Sequence, residues 1–393
     1  MSSDPAAKIP RHILPLIIFA QFAGVSTWFV GNAVLSDLTA VLSLPEGALG
    51  RITGAVQLGF IAGTLTFALL LVADRFPAGR VFLTCSLLGA ICNAGMLLPG
   101  ITYDMLLLLR LLTGFCLAGI YPVGMKIAAD WYQQGLGKAL GYLVGALVLG
   151  TGFPHAASYF LADLPWQAVV GLSSGLSVAG GLMLAFGVPD GPYRKQGTAL
   201  DIRTLGRAFQ EPSVRGAALG YFGHMWELYA FWAFVPVLLQ AYFGDTLSAA
   251  GVSLLSFGVI VAGVPGCVVG GYLSLRKGSK WVAVRMLGLS GLCALVSPFL
   301  VQAPLPVFVV FLLVWGFAVV GDSPQFSTLM ARHALPAYKG SVLTISTTIG
   351  FALTVGSIAL LGYRAADGMN PFLFYWLLPG PVIGLLGLRR VVS

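Results

Sequence analysis

The stretch LLLLRLLTGFCLAGIYP, residues 106–122, sets a single arginine, Arg110, inside a run too apolar to sit in water. A guanidinium near the middle of hydrocarbon is costly, so such a residue usually faces a protein interior or a wet cavity. The later stretch VWGFAVVGDSP, residues 314–324, repeats the Gly-Phe, Gly and Pro spacing, with Asp322 where the first copy has Ile120. A cation in one copy and an anion in the other indicate two related halves that face one polar pathway.

The composition is that of an integral membrane protein. The 393 residues are 58% hydrophobic and 9% charged, with a mean hydropathy of +0.90, whereas a soluble domain carries about a quarter charged residues. Apolar segments of about 20 residues can cross a bilayer as helices, and the sequence contains about twelve of them. A β-barrel would instead show short alternating segments. We therefore predict an all-α membrane protein with twelve transmembrane helices.

The positions of the charges predict the topology. The net charge is +8, but the basic residues collect in alternate loops and at the two ends of the chain, which is typical of the cytoplasmic side and not of a nucleic-acid surface. The opposite loops are acidic, with only Arg51 and Arg364 as bases. We expect a multi-pass protein of the cell inner (plasma) membrane with both termini cytoplasmic. The five cysteines lie in apolar runs without CxxC spacing, so no disulfide framework is expected.

Two halves are also predicted by matches at a constant offset. Arg75 matches Arg276 in the turns after helices 2 and 8, and Gly114 matches Gly316, both about two hundred residues apart, as in parallel six-helix repeats. We predict an N-terminal six-helix bundle at residues 1–188, a cytoplasmic linker at 189–214 and a C-terminal six-helix bundle at 215–393. Helix 1 is predicted to be continuous from Ile13 to Leu35. Helix 8, predicted from Val252 to Leu275, is expected to break at Pro265.

The densest polar group at membrane depth lies on helix 7. Tyr221, His224 and Glu227 are spaced three residues apart, so they share one face. Glu227, His224 and Asp322 are candidate proton-coupling residues, with the proton as coupling ion, since buried acids and histidines can take up and release protons. A structural His–Glu hydrogen bond is the alternative. The spacing also suits two metal ligands, but no further ligand cluster accompanies them, so no metal or cofactor is predicted.

Candidate substrate contacts come from the polar and aromatic residues of the spans. Arg110 is a cavity cation in this interpretation; snorkelling to the headgroups is its alternative. Helix 11 carries a hydroxyl run, which also suits ordinary helix packing. The full predicted set is Arg110, Trp28, Asn32, Tyr121, Tyr221, Trp226 and Thr347.

Twelve spans split six and six by a basic loop, with a charged turn after helices 2 and 8, resemble the major facilitator superfamily (MFS) of secondary transporters. The loop signature of that family reads roughly Gly-x-Leu-Ala-Asp-Arg-x-Gly-Arg-Lys. In the second copy Gly271, Leu273, Arg276, Gly278 and Lys280 match it; in the first, Asp74, Arg75, Gly79 and Arg80 do. The resemblance implies that this turn gates the cytoplasmic side, with Asp74, Arg75, Arg80, Arg276 and Lys280 as gating residues.

Two further motifs refine the resemblance. Arg110 followed by Gly114 resembles the helix 4 motif that is linked to proton coupling in drug antiporters of the family. Residues 145–154, with three glycines before Pro154, resemble a loose form of the helix 5 antiporter motif. Within the superfamily the chain resembles the bacterial nitrate, nitrite and cyanate-type porters, but the glycine-rich signature of true nitrate porters has no match in helices 5 and 11, so nitrate itself is not expected.

The sequence therefore predicts a secondary active transporter, proton-coupled and monomeric, that moves a small polar or anionic solute by alternating access. A multidrug/proton antiporter is the alternative, supported by aromatic residues such as Trp28 and Trp226. A membrane-embedded enzyme using His224 and Glu227 would lack a nucleophile-base-metal constellation, so no enzyme is expected. A sensor would need an output domain, and no phosphate-binding Gly-x-x-x-x-Gly-Lys-Ser/Thr loop for primary pumping is present.

Overall fold

Helices make up nearly all of the chain. The computed structural model describes residues 9–132, 136–194, 209–335, 339–366 and 370–392, without the side chains of residues 74, 137 and 339–341. No β-strand occurs among these residues. The prediction of an all-α protein is confirmed.

Six helical spans, each connected to the next by a short segment, form the N-terminal half. Two of them consist of more than one helical segment. The spans are α1 (Ile13–Val25, Val30–Ala33 and Leu35–Leu42), α2 (Ala48–Leu69), α3 (Ala78–Ala94), α4 (Tyr103–Leu117 and Tyr121–Trp131), α5 (Leu136–Phe160) and α6 (Gln167–Gly187).

Six further spans form the C-terminal half. They are α7 (Pro212–Phe243), α8 (Ala249–Val261 and Gly263–Lys277), α9 (Ser279–Leu300), α10 (Leu305–Gly321 and Ser323–His333), α11 (Lys339–Ala366) and α12 (Leu373–Leu377 as a 3-10 helix, then Pro379–Leu388). Within the described residues, ten helical runs are long and apolar enough to cross a membrane, and the first and last, Ile13–Val25 and Leu373–Leu388, are shorter apolar helices. This pattern agrees with twelve spans.

Prolines account for three of the interruptions. Pro122 and Pro324 are the second residues of the segments that restart α4 and α10, and Pro265 is the third residue of the segment that restarts α8. A proline lacks the N–H group and its ring clashes with the carbonyl four residues earlier, so the preceding turn is lost. The predicted break in helix 8 is confirmed, and it falls at Ala262, one turn before Pro265.

Helix 1 differs from its prediction. It was expected to be one helix from Ile13 to Leu35, but the first segment of α1 ends at Val25 and the next begins at Val30. No proline lies between residues 25 and 35. The correction has a physical cause elsewhere in the fold, because the carbonyl groups exposed at this break are bonded by a side chain from α4.

The two halves repeat the same helix pairings. In the N-terminal half α2 packs on α4, α3 on α6 and α1 on both α5 and α6; in the C-terminal half α8 packs on α10, α9 on α12 and α7 on both α11 and α12. Between the halves α2 packs on α11 and α5 on α8. Each contact within the N-terminal half has a counterpart in the C-terminal half between the spans numbered six higher. The two contacts between the halves are also equivalent, because α2 corresponds to α8 and α5 to α11. The fold therefore consists of two pseudo-symmetric bundles.

Matched glycines bring helix backbones together in each half. A Cβ on Gly114 of α4 would overlap the carbonyl oxygen of Val56 in α2, and a Cβ on Gly316 of α10 would overlap that of Val259 in α8. Only glycine permits such an approach, which is typical of helix packing in membranes. The sequence match of Gly114 with Gly316 therefore corresponds to the same physical contact in the two bundles.

The contact between α2 and α11, one helix from each half, is closed at one end. At the start of α2 and the end of α11, a Cβ on Gly50 would lie 3.3 Å from the Ile358 carbonyl oxygen and 3.5 Å from the Gly362 Cα. Glycine on both helices lets them meet backbone to backbone at that end.

The start of the predicted linker is held on the N-terminal half. The indole N–H of Trp131 donates to the Pro189 carbonyl at 3.0 Å, and the backbone N–H of Tyr193 donates to the Asp130 carbonyl at 3.0 Å. Arg194 pairs with Asp190 and donates to the Phe76 carbonyl at 3.0 Å. Of the predicted linker, 189–214, residues 195–208 lie outside the described residues, and its bounds stay a prediction.

Candidate functional site

An acidic cluster, made of His224, Glu227 and Asp322, lies inside the C-terminal half. His224 and Glu227 are one turn apart on α7 and are 1% and 0% exposed. Oε1 of Glu227 accepts hydrogen bonds from the hydroxyl of Ser290 at 2.6 Å and the indole N–H of Trp315 at 2.9 Å. Its Oε2 has no hydrogen-bond partner among the described residues.

Asp322 joins this cluster from α10. It is the residue between the two segments of that span and is fully buried. Its Oδ1 lies 2.8 Å from Nδ1 of His224. The structure thus brings together the three residues predicted for proton coupling, although they are far apart in the sequence.

An arginine cluster occupies the core of the N-terminal half. Arg110 of α4 is fully buried. Its guanidinium donates to Oδ1 of Asn93 at 2.8 Å and to the carbonyl oxygens of Thr27 at 2.9 Å and Trp28 at 2.5 Å. The Asn93 amide in turn donates to the hydroxyl of Ser174 at 2.9 Å. The Arg110 side chain therefore connects α4 to α3 and to the break in α1, and Asn93 extends this connection to α6.

The bonds of Arg110 explain how α1 tolerates its break. A helix end buried in a bilayer must have its free carbonyl groups bonded by other parts of the protein. The carbonyls of Thr27 and Trp28 lie in the interruption of α1, and the guanidinium bonds both. In this arrangement Arg110 positions α1, and its charge is directed at backbone oxygens within its own half.

A ring layer, made of Trp28, Phe60, Tyr229 and Phe351, fills the space between the halves. The ring centroids lie 5.5 Å apart for Trp28 and Tyr229, 5.0 Å for Trp28 and Phe60, and 4.3 Å for Phe60 and Phe351. Two rings come from each half, and all four are buried. Aromatic contacts of this kind stabilise a closed arrangement of the two halves.

Hydroxyl groups lie next to the ring layer, away from the closed end. The phenol of Tyr121 on α4 is close enough to Tyr221 and Tyr229 for their hydroxyls to interact electrostatically. The Tyr221 hydroxyl lies beside the side chain of Thr347, which precedes Phe351 by one turn of α11. Tyr121 and Thr347 are partly exposed, so these polar groups face accessible space.

Besides Arg110, two of the predicted substrate contacts lie elsewhere. The indole N–H of Trp226 donates to the Trp376 carbonyl at 2.9 Å, on the side of α7 that faces α12. The Asn32 amide donates to the Thr53 hydroxyl at 2.9 Å, between α1 and α2. The structure brings Trp28, Tyr121, Tyr221 and Thr347 together, and it does not bring Trp226 to them.

The predicted gating residues lie around the turns that follow α2 and α8, with Arg80 at the start of α3, Arg276 at the end of α8 and Lys280 at the start of α9. Arg75, Arg80 and Arg276 are exposed, and the side chain of Asp74 lies outside the described residues. The amino group of Lys280 donates to the Val391 carbonyl at 2.6 Å. Their gating role stays a prediction.

Sequence reasoning missed several residues of these clusters. Asn93 and Ser290 stand in apolar runs without a neighbouring polar residue, and their significance depends on partners from other spans. Phe60, Tyr229 and Phe351 were not distinguished from the many aromatic residues of the chain. Gln21 and Gln57 are both fully buried, with amide atoms unpartnered among the described residues. A glutamine within an apolar span was the available signal for them.

Comparison with known proteins places this architecture in a family. The family model of the Major Facilitator Superfamily matches residues 17–359. The chain is 27% identical over 193 residues to the uncharacterized transporter YgaY of Escherichia coli O157:H7, covering 48% of this chain and 47% of the relative. The matched region thus spans about half the length of that relative.

Solved structures show the same fold at low sequence identity. The xylose transporter XylE from E. coli superposes with a TM-score of 0.76 at 15% identity, over 97% of this chain and 99% of that one. The human organic anion transporter MFSD10 gives a TM-score of 0.73 at 16% identity, over 99% and 100% of the two chains. The nucleoside transporter NupG gives 0.72 at 16% identity, over 96% and 98%.

The chain belongs to the Major Facilitator Superfamily. It is a multi-pass membrane protein of a family of secondary transporters. The resemblance read from the loop signature is therefore confirmed at the level of the superfamily.

Proposed function

We propose that transport by this protein is proton-coupled and that Glu227, together with His224 and Asp322, holds the coupling proton. The observation that carries the proposal is the Glu227 carboxyl group: it is fully buried, and only one of its two oxygens is hydrogen-bonded by described residues. Burying a carboxylate without compensation is costly. Gain or loss of one proton therefore changes the free energy of this half substantially.

The neighbours of Glu227 offer a route for that proton. His224 lies one turn away on the same helix and pairs with Asp322 at 2.8 Å. A histidine can accept a proton on one ring nitrogen and release one from the other. Both acids act on α10, since Trp315 lies on its first segment and Asp322 at its break. A change of protonation thus acts on the span that is already interrupted.

The ring layer and the adjacent hydroxyls favour a small organic molecule with polar groups as the solute. Trp28 and Tyr229 present flat apolar faces, while Tyr121, Tyr221 and Thr347 offer hydrogen bonds. These residues come from both halves, as alternating access about a central site requires. The anionic solute of the sequence-based prediction needs a cation here, and Arg110 is engaged with Asn93 and with α1. The solved relatives carry a sugar, a nucleoside and an organic anion by their names, so they do not choose among solute classes.

The test is a thermal-shift screen of the purified protein against pentoses, nucleosides, organic acids and lipophilic cations. A true solute raises the melting temperature by mass action. Tyr221→Phe and Thr347→Val should reduce the shift, and Trp226→Phe is the matched control outside the cluster. The hit is then added to proteoliposomes that contain a pH-sensitive dye. Solute-driven proton movement that survives Glu227→Gln, Asp322→Asn and the double variant would refute the proposed proton site.

A multidrug/proton antiporter is the second candidate, and the ring layer is the observation that favours it. Four aromatic rings in contact between the halves suit a flat lipophilic solute. If only lipophilic cations stabilise the protein, and Trp28→Ala removes their effect while Tyr221→Phe does not, this candidate replaces the first.

We also propose the inner membrane as location, with both termini cytoplasmic and a monomer as the working unit. The exposed bases Arg75, Arg80, Arg276 and Lys277 support this orientation because they lie around the turns after α2 and α8, which are equivalent spans of the two halves. Reporter fusions after residues 76 and 278 test it, and both should report the cytoplasm. Periplasmic activity at either site would reverse the orientation.

A further inference from the structure

A concave basic pocket, named here the α9 pocket, lies where α8 ends and α9 begins. Its volume is about 400 Å³, within the range of small-ligand sites. The residues that matter for its chemistry are Lys277, Lys280, Trp281, Arg285, Arg332 and Val392. They come from α8, α9, α10 and the end of the described chain.

The charge of this pocket has one sign. Four of its lining residues are cationic, and none of the lining residues is an aspartate or a glutamate. Like charges gathered around a concave surface raise the local potential and attract anions. The topology rule explains why bases lie on this side of the protein, but it does not explain why four of them converge on one pocket.

The start of α9 adds to this potential. The helix has 22 residues, begins after Gly278, and has neither a side-chain cap nor an acidic residue in its first turn. The first N–H groups of such a helix have no intrahelical partner, and its dipole favours a negative charge at that end. Ser279 and Lys280, the first two residues of α9, both line the pocket.

Specific contacts hold the walls in place. The Lys280 amino group donates to the Val391 carbonyl at 2.6 Å, and the backbone N–H of Val392 donates to the Ser213 hydroxyl at 3.3 Å. The guanidinium of Arg285 lies 5.3 Å from the centre of the Trp281 ring. The pocket is therefore formed by ordered contacts between spans, and not only by loose surface lysines.

The outer rim of the pocket continues into a lipid-facing strip of α9. Trp281 and Arg285 are exposed, and further along the same face Leu292, Leu295 and Phe299 are 53%, 46% and 72% exposed. These positions differ by three, four or seven residues, so they share one face of α9, and Leu292, Leu295 and Phe299 form an apolar stripe on it. A tryptophan at the level of the headgroups next to such a stripe is typical of the membrane surface.

We propose that the α9 pocket binds the phosphate-containing headgroup of an anionic phospholipid, with the acyl chains lying along the exposed stripe of α9. The four cations and the first N–H groups of α9 contact the headgroup, and Trp281 marks the membrane surface. A soluble phosphate would satisfy the cations but would not use the stripe. The site is separate from the acidic cluster and the ring layer, so the inference does not depend on the proposed proton coupling.

The experiment compares lipid retention by full-length variants in native mass spectrometry and in thermal melts, with phosphatidylglycerol and phosphatidylcholine as probes. The pocket variant is Lys277→Gln/Arg285→Gln/Arg332→Gln, which leaves the Lys280–Val391 contact intact. The matched control, Arg75→Gln/Arg80→Gln/Arg276→Gln, removes the same charge from exposed bases that do not line the pocket.

The wild type and the control should retain phosphatidylglycerol over phosphatidylcholine by about tenfold or more, and the pocket variant should lose that preference. Equal losses in both variants would indicate general surface charge and overturn the proposal. Stabilisation by inorganic phosphate alone as large as that by phosphatidylglycerol would assign the pocket to a soluble anion. If the pocket variant does not fold, the salt dependence of the wild type tests the proposal. A preference for phosphatidylglycerol that does not weaken with added salt contradicts a headgroup held by charge.

Discussion

The two halves share one backbone plan and differ in what each buries at its centre. In the N-terminal half a base, Arg110, donates to three oxygens on two neighbouring spans. In the C-terminal half an acid, Glu227, accepts two hydrogen bonds through one oxygen and none through the other among the described residues. The base makes three hydrogen bonds and leaves its Nε without a partner among the described residues, whereas the acid leaves one of its two charge-bearing oxygens unbonded.

This difference indicates a division of labour between the halves. A buried group that is hydrogen-bonded to several helices stiffens its surroundings, whereas a buried acid with one unbonded oxygen is sensitive to any change of its charge. We therefore expect the arginine cluster to contribute mainly to stability and the acidic cluster mainly to coupling. Substitutions in the two halves should therefore differ in their effect on the free energy of unfolding.

Replacement of Arg110 should have the largest effect. Arg110→Leu leaves the carbonyls of Thr27 and Trp28 and the Asn93 amide oxygen without their donor, and unpaired buried groups together cost about 3 kcal/mol. The expected result is a large drop in melting temperature in detergent, with poor recovery of folded protein. Arg110→Lys should recover only part, because an ammonium lacks the planar fork of donors. Full stability in Arg110→Leu would mean that the break in α1 does not need the guanidinium.

Matched glycine substitutions test whether the halves are equivalent outside these clusters. A valine at Gly114 or at Gly316 would meet the carbonyl of Val56 or Val259, and overpacking of this kind costs about 2 kcal/mol. Both variants should lose similar amounts of stability in thermal melts. Gly175→Val is the control, since a Cβ there has no heavy atom within 4 Å. Loss at only one of the two contacts would break the structural equivalence of α4 and α10.

Asn93, which bonds Arg110, should contribute more to the free energy of unfolding than Ser290, which bonds Glu227. Asn93→Ala removes the acceptor of Arg110 and the donor to Ser174, which costs about 1 to 2 kcal/mol for a charged group left short of a partner. Ser290→Ala removes one of two donors to Glu227 and should cost less. Melting temperatures of the two variants, measured side by side, give the order directly. The opposite order would assign the stabilising role to the acidic cluster.

Glu227→Gln should have the smallest effect on stability and still abolish coupling. The glutamine oxygen can accept the hydrogen bonds from Ser290 and Trp315, so the change in unfolding free energy should be below about 1 kcal/mol. Proton-driven accumulation should be lost, while exchange of solute without a gradient continues. That pair of assays separates coupling from folding. A variant that is strongly destabilised would show that the carboxylate is mainly structural.

Much of the fold was accessible from the sequence because it depends on local chemistry. Apolar runs of membrane length predicted the spans, and Pro265 predicted the break in α8. Helix 1 was the exception. Its interruption is stabilised by Arg110, eighty residues further on, and no residue within residues 25–35 signals it. Long-range bonds of this kind are not encoded in local propensity.

For the candidate site, the sequence supplied charged residues but not their partners. His224 and Glu227 could be paired through their spacing on one helix, and Asp322 through the repeat. The engagement of Arg110 with α1, and the position of Trp226 against α12, depend on how the spans rotate about their axes. Rotation is decided by packing contacts such as those of Gly114 and Gly316, which the sequence indicates only as small residues.

The ring layer also has an optical consequence. Indole emission depends on the polarity and the aromatic neighbours around the ring, and Trp28 stacks at 5.5 Å from Tyr229 and 6.0 Å from Phe351 across the boundary between the halves. Any motion that parts the halves at this level must separate these rings and admit water to the indole. The protein therefore carries its own chromophore at the boundary that moves, and a variant retaining Trp28 as its single tryptophan would report opening and closing without an attached label.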